Sequence, residues 1–285
     1  MAEPPPLFLD ACANLTHESY TRDLDEVLAR AQTAGVAGFL VPGSDLAESR
    51  RALALHERHP DRIWALAGVH PHHAAGWSDH TVRELETLLD HPGVVGVGEC
   101  GLDYYRNFSP REAQRRAFEA QLALARRRGC PLLLHVREAH ADFLALWRAG
   151  GIPAARGLVH CFTGAADELD AILAEGFSVG LTGWITDPRR GGHLPDLIPH
   201  IPRDRLVIET DCPYLLPKNL PSPPRHRRNE PAYLPAVARV VAEAWKIDPE
   251  EVARTTSANL SRLFALPDPP GTRHPVAEDV RTAQT

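Results

Sequence analysis

The sequence predicts a single-domain (β/α)8 barrel, and three observations carry that prediction. The chain has 285 residues, close to the ~250 that such a barrel takes. Eight short apolar runs alternate with longer amphipathic segments, the pattern of a parallel sheet covered by helices. No GxGxxG or Walker-type loop interrupts the alternation, which weakens the competing reading of an open, doubly wound nucleotide-binding sheet. The expected organisation is an N-terminal tail over 1–6, a barrel over 7–266 and a mobile C-terminal tail over 267–285.

The predicted strands are LFLD (7–10), VAGFLV (36–41), IWALAGV (63–69), GVVGVGE (93–99), PLLLHV (131–136), GLVHC (157–161), FSVGL (177–181) and RLVIET (205–210). Each is short and almost continuously apolar, as strands buried on both faces read. In segment 22–34, Leu24, Val27, Leu28 and Ala31 fall on one helical face before Gly35, a C-terminal stop. Segment 110–128 opens on Ser109-Pro110 with Glu112 three residues after the serine, a capping-box pattern, and closes on Arg126, Arg127, Arg128 and Gly129. Segments 45–59, 79–90, 138–149, 165–175 and 231–245 are similar, and 213–230 reads as a long functional loop.

Composition narrows the function classes. A 44% hydrophobic, 24% charged chain can bury a large core. The balance of 31 basic against 37 acidic residues, net −6, excludes a generally basic nucleic-acid-binding surface, so contact with a polyanion must be local or metal-mediated. Five cysteines, an odd number with no CxxC pair, argue against a disulfide framework and a structural zinc site. Reduced thiols, the absence of a signal pattern in MAEPPPLFLD and the lack of a long apolar run give a cytoplasmic expectation.

The chemistry lies at strand ends. Asp10, His70, Glu99, His135, His160 and Asp211 all fall at or just beyond the C-terminal ends of predicted strands. In a barrel those ends form one rim, so the six converge. Any one of them could merely hydrogen-bond the rim, but six carboxylates and imidazoles together form a ligand set for zinc, manganese or iron, magnesium preferring oxygen.

Six stretches carry a family resemblance: AGVHPHH (67–73), GVGECGLDYYRNFS (96–109), PLLLHVREAH (131–140), LVHCFTG (158–164), LVIETDCPYLLP (206–217) and RRNEPAYLP (227–235). With them the chain resembles the TatD family of metal-dependent nucleases, barrels of the amidohydrolase type, from about residue 7 to 266. The resemblance implies Glu99 as the central carboxylate ligand, His135 and His160 as its imidazole partners, and Asp211 as the acid that holds and deprotonates the attacking water. It makes His70 an accessory site residue and puts Arg228, Asn229 and Glu230 on the loop overhanging the mouth. Relatives commonly carry HxH on strand 1 for a second metal. Here Cys12 and Asn14 occupy those positions, which is closest to the TatD branch itself. An amide oxygen is a weak donor and Cys12 reads as a core thiol, so one firm divalent site is expected, Mg2+ first with Mn2+ or Zn2+ as alternatives, beside a poorly supplied second position.

The implied activity is phosphodiester hydrolysis, a monomeric 3′–5′ exonuclease on single-stranded DNA with RNA as a second substrate. For substrate contact, Arg137 beside the metal residues and the run Arg225, His226, Arg227 and Arg228 could meet phosphates, while Tyr104, Phe162 and Trp184 could stack bases or pack the rim. The same rim would serve a barrel hydrolase of an amide, ester or lactone. A non-enzymatic binding protein is the third reading, against which stands the retention of all four central residues.

Overall fold

The computed structural model describes residues 7–267. The tails expected over 1–6 and 267–285 lie outside the described residues, apart from Pro267. Eight parallel strands follow in sequence order around the sheet. They are β1 (Phe8–Asp10), β2 (Val36–Val41), β3 (Ile63–Ala67), β4 (Val94–Asp103), β5 (Leu132–Arg137), β6 (Gly157–Val159), β7 (Ser178–Leu181) and β8 (Leu206–Ile208). The seam between β8 and β1 closes through the Ala13–Cys212 bridge and the bonds from Ala11 N to Ile208 O (3.2 Å) and from Asp211 N to Cys12 O (2.9 Å).

The outer layer is α1 (Leu24–Thr33), α2 (Leu46–Arg58), α3 (Asp79–Leu88), α4 (Arg111–Arg128), α5 (His140–Gly150), α6 (Ala166–Glu175), the single turn α7 (Leu194–Leu197), α8 (Leu234–Trp245) and α9 (Pro249–Phe264). The predicted barrel stands, with three differences outside the strands. Past β7 the chain makes 3-10 turns and α7 in place of a full helix, and α9 went unread at the sequence level. The capping box at Ser109 does not form. Helix α4 starts one residue later with Pro110 as its N-cap, and Ser109 Oγ instead donates to His72 O (2.9 Å) and accepts from Ala75 N (3.0 Å).

Alternation along the strands separates an inner from an outer set. Leu9, Leu40, Trp64, Leu66, Leu133, Leu158 and Val207 pack together inside the barrel, where Leu260 and Phe264 from the end of α9 and Leu266 just after it join them. Phe8, Phe39, Ile63, Val97, Leu132, Leu134, Val159 and Ile208 pack under the helices. A residue two positions beyond an inner one is therefore aimed into the barrel, which brings His135, His160 and Glu209 inward after Leu133, Leu158 and Val207.

Candidate active site

Strand β4 is the irregular one. Glu99, expected to end it, lies at its middle, because the strand runs on to Asp103. Val97 faces the helices, so strict alternation would turn Glu99 outward too. The register of β4 against β5 instead shifts between Val97 and Cys100, and this extra residue re-aims Glu99 to the interior. Gly98 (φ +152°) and Gly101 (φ +144°) make the detour possible in backbone regions closed to other residues. A Cβ at Gly101 would stand 1.9 Å from His135 O.

Three imidazoles surround the turned carboxylate. Glu99 Oε1 is 2.8 Å from His135 Nδ1, 2.9 Å from His160 Nε2 and 3.3 Å from His70 Nε2. His70 N-caps the 3-10 turn Pro71–Gly76, where its Nδ1 accepts from His72 N at 3.1 Å. That bond leaves Nε2 as the nitrogen that donates toward Glu99. Burial holds the carboxyl of Glu99 back from ionising, but His160 and His70 outweigh it and keep the group well below the usual carboxylate range. Burial lowers His70 to about 4, Glu99 only partly offsetting it. His160 is driven the other way, since Glu99 and Glu209 outweigh the same burial.

Across the mouth, Asp211 follows β8 in a left-handed conformation (φ 50°), a backbone region costing a non-glycine residue about 1–3 kcal/mol. Asn14 Nδ2 donates to its Oδ1 at 2.9 Å. Burial raises the Asp211 carboxyl to about 7, with Glu99 and Glu209 adding to the rise and His160 and Asn14 opposing it.

The donor atoms collect as two groups rather than one. Those of His70, Glu99 and His135 lie within 4.8 Å of one another, as do those of Cys12, His160 and Asp211. The expected triad of Glu99, His135 and His160 is thus divided, with the Glu99–His160 contact joining the halves. His70 stands inside a donor group, and Cys12, read as a core thiol, belongs to the other. Asn14 is occupied with Asp211. Both groups fit a divalent cation by donor chemistry. Two buried ring nitrogens, His135 Nε2 and His160 Nδ1, also lack a hydrogen-bond partner, a costly state that ligation through one ring atom commonly accompanies and a supporting carboxylate relieves. Such carboxylates stand close: Asp103 Oδ2 is 3.3 Å from His135 Nε2, and Glu209 Oε1 is 3.4 Å from His160 Nδ1.

Asp10 does not join this cluster. In step with Phe8, it faces the helix layer, where Oδ1 accepts from Thr210 N (2.9 Å) and Oδ2 from Thr210 Oγ1 (2.5 Å). Burial raises its carboxyl to about 8, with the Thr210 bonds pulling it down. It pins the β1–β8 seam.

The loop residues expected to meet substrate are also committed within the chain. Arg228 grips Asp23 through both terminal nitrogens (2.9 and 2.6 Å) and Glu230 Oε1 (2.8 Å). Glu230 is 3% exposed and takes Arg30 Nε at 2.8 Å. Asn229 is fully buried, bonding Thr210 O through Nδ2 at 2.9 Å. These three fasten the 213–230 loop to α1 and to the end of β8. Arg225, His226 and Arg227 stay exposed, and the last two line a cleft of about 910 Å³ with Arg22, Tyr214, Arg228 and Glu230. Arg137 emerges from β5 with its guanidinium 4.1 Å above the Tyr105 ring. Of the proposed stacking residues, Phe162 is buried and Tyr104 bonds Asp142 Oδ2 at 2.7 Å. Trp184 is half-buried beneath Arg190.

Sequence reasoning missed four supports. Asp103, His72, Gln114 and Gln121 carry no signal at strand ends, although Asp103 lies inside GECGLD. His72 Nε2 meets Asp103 Oδ2 at 2.9 Å. Gln114 accepts from Asp103 N (2.8 Å) and Gln121 from Val69 N (2.7 Å), so two amides on α4 hold the ends of β4 and β3 in place. For Glu209, the period-two pattern from Val207 was the available signal.

Among known proteins, the family model for TatD related DNase matches residues 9–265. A 3′–5′ ssDNA/RNA exonuclease TatD from Edwardsiella piscicida is 49% identical over 258 residues, covering 90% of this chain and 99% of the relative. The crystal structure of a TatD homologue from Escherichia coli superposes with a TM-score of 0.84 at 29% identity, covering 91% of this chain and 98% of that one. A TatD family hydrolase from Entamoeba histolytica follows at 0.83 and 26%, covering 92% and 99%. With a match across nearly the whole barrel, the chain belongs to the TatD-related DNase family.

Proposed function

We propose that the protein is a divalent-metal-dependent 3′–5′ exonuclease of single-stranded DNA that also accepts RNA, with residues 7–266 as its catalytic barrel. The observation that carries this reading is the pair of donor groups joined at Glu99, with Asp211 beside them. Its activity is that named for the 49% identical relative. Glu99, His135 and His160 are the proposed principal ligands, with His70 and Cys12 extending the two groups. Mg2+ is the first ion to test, then Mn2+, then Zn2+, which suits imidazole donors better. A bound cation would neutralise the phosphate and lower the pKa of a coordinated water.

The chain's own groups do the rest. The Asp211 carboxylate accepts a proton from the attacking water as the water oxygen bonds to phosphorus. The bond from phosphorus to the 3′ oxygen breaks, and that oxygen takes up a proton. Asn14 holds the Asp211 carboxylate in place. Asp103 and Glu209 orient His135 and His160 from behind. Arg137 supplies positive charge beside the phosphate. Arg228, Asn229 and Glu230 act indirectly by fixing the β8 loop. Among the described residues no helix is long and apolar enough to cross a membrane, and with five free thiols we place the protein in the cytoplasm, as a monomer.

The test is shortening of end-labelled single-stranded DNA with Mg2+ or Mn2+. Shortening from the 3′ end is expected, lost with chelator and in Glu99→Ala, and reduced about 10²–10⁴-fold in Asp211→Asn. Turnover of esters or lactones by a metal-loaded enzyme that leaves DNA intact would favour the amide, ester or lactone reading instead.

A further inference from the structure

Three large apolar side chains stand well exposed among the described residues: Tyr105 (58%), Phe108 (67%) and Tyr214 (53%). Single exposed aromatics are ordinary on a soluble protein. These three share the rim that carries the donor groups. Tyr105 and Phe108 follow β4, whereas Tyr214 follows β8. In a closed ring of eight strands in sequence order, β4 and β8 are four apart, so the rings rise from opposite sides of the mouth.

Each ring packs against a polar neighbour. Arg137 lies 4.1 Å from the Tyr105 centroid. Phe108 packs at 4.7 Å against His72, whose Nε2 is bound to Asp103. Tyr214 meets His17 edge-on at 5.6 Å, and its backbone N–H donates to Asp211 O at 3.0 Å.

We propose that Tyr105 and Phe108 on one side and Tyr214 on the other form a stacking clamp for unpaired nucleotide bases flanking the phosphodiester at Glu99 and Asp211. The proposal rests on the nuclease reading and names what the site selects. Every base offers a π-face, so stacking is tolerant of sequence and needs no basic surface, which suits a chain of net charge −6. A paired base has both faces in the helical stack and must first be unstacked. The clamp therefore favours single strands and frayed ends, with Arg137 positioned for an adjoining phosphate.

The test compares Tyr105→Ala, Phe108→Ala and Tyr214→Ala with wild type on a fluorescent single-stranded oligonucleotide. Binding is read by anisotropy in an Asp211→Asn background and turnover in the active enzyme. Each truncation is expected to weaken binding and raise KM about 5- to 100-fold, with kcat little changed and Tyr214→Phe restoring the wild-type values. An abasic linker at the stacked nucleotide should weaken the wild type by the same factor and add nothing to the matching truncation. Affinities within twofold of wild type for all three truncations, or ring and base penalties that simply multiply, overturn the clamp. DNA shortening with silent truncations removes the clamp and leaves the nuclease reading. Ring-dependent binding without shortening does the reverse. A wild type that neither binds nor cuts the oligonucleotide refutes both.

Discussion

Arg228 was expected at the substrate and is found in a latch, and one substitution separates the two roles. Arg228→Ala removes the bonds to Ser19 O (2.5 Å), to both oxygens of Asp23 and to Glu230 Oε1. Stripping one partner from a buried ion pair costs about 3–5 kcal/mol. Here the loss is smaller, because Glu230 keeps Arg30 at 2.8 and 2.9 Å. Asp23 is a third exposed, and exposed pairs contribute about 1 kcal/mol or less. The expected destabilisation is about 2–3 kcal/mol, which lowers Tm by about 4–10 °C in a domain of this size. The loss should depend on pH. Glu230 titrates below its ordinary 4.5, because Arg30 and Arg228 outweigh its burial, and Asp23 below 3.8, through the Arg228 bond first. Groups with lowered folded values stabilise fully above the unfolded values and lose that contribution as pH falls through the folded ones. The gap between wild type and variant should be full at neutral pH and shrink below about pH 4. Thermal melts from pH 3 to 8 measure it. A variant that melts with the wild type at pH 7 yet loses oligonucleotide binding would refute the latch and return Arg228 to the substrate.

The remaining predictions probe the supports of the site. Glu209→Gln keeps an acceptor for Cys161 N but removes the charge behind His160; Mn2+ affinity by calorimetry should fall about 10–100-fold with Tm retained, and unchanged affinity would leave Glu209 a packing residue. Gly101→Ala forces a Cβ onto His135 O, 1.9 Å away, at φ +144°; destabilisation on the order of 3 kcal/mol or more is expected from strain and clash together, and a wild-type melt would refute the tight β4–β5 approach. Phe162→Ala should lose about 3–5 kcal/mol in urea titration with KM unchanged, because the ring is 3% exposed; a raised KM at full stability would restore it as a stacking residue.

The strands were legible because each is a short apolar run, and the barrel because eight of them alternate with helices. Glu99, His135, His160 and Asp211 were legible as polar residues placed where apolar ones belong. What escaped lay in relations between strands. Nothing within VVGVGECGLD states that Glu99 sits on a register shift, since a bulge is defined by the partner strand. Asp10 looked equivalent to the other rim groups until its alternation with Phe8 placed it on the outer face. Tyr104 and Tyr105 are neighbours of the same type, yet one is tied to Asp142 and the other is open, a difference set by α5 and invisible in the sequence. Helix α9 starts on Pro249 and carries buried Thr256 and Asn259, polar residues that blur its apolar face.

The placement of Asp211 and the closure of the barrel are one structural problem. Asn229 holds Thr210 O, and the Tyr20 hydroxyl donates to Asn229 O at 2.5 Å. Thr210 in turn is held by Asp10, whose Oδ1 also accepts from Cys12 N at 3.3 Å. Asp211 N then bonds Cys12 O, and Asn14 takes its carboxylate. The chain of bonds thus runs from the Arg228–Glu230 latch through the seam to the acid. It ends on Cys12 and Asn14, just beyond β1. With Asn14 committed as a donor to Asp211, the segment after β1 contributes to the acid's orientation as well as to a donor group. Loosening the latch should therefore reach the chemistry through Thr210. A substitution at Asn229 should lower kcat before it changes KM, whereas loss of a rim aromatic should do the opposite.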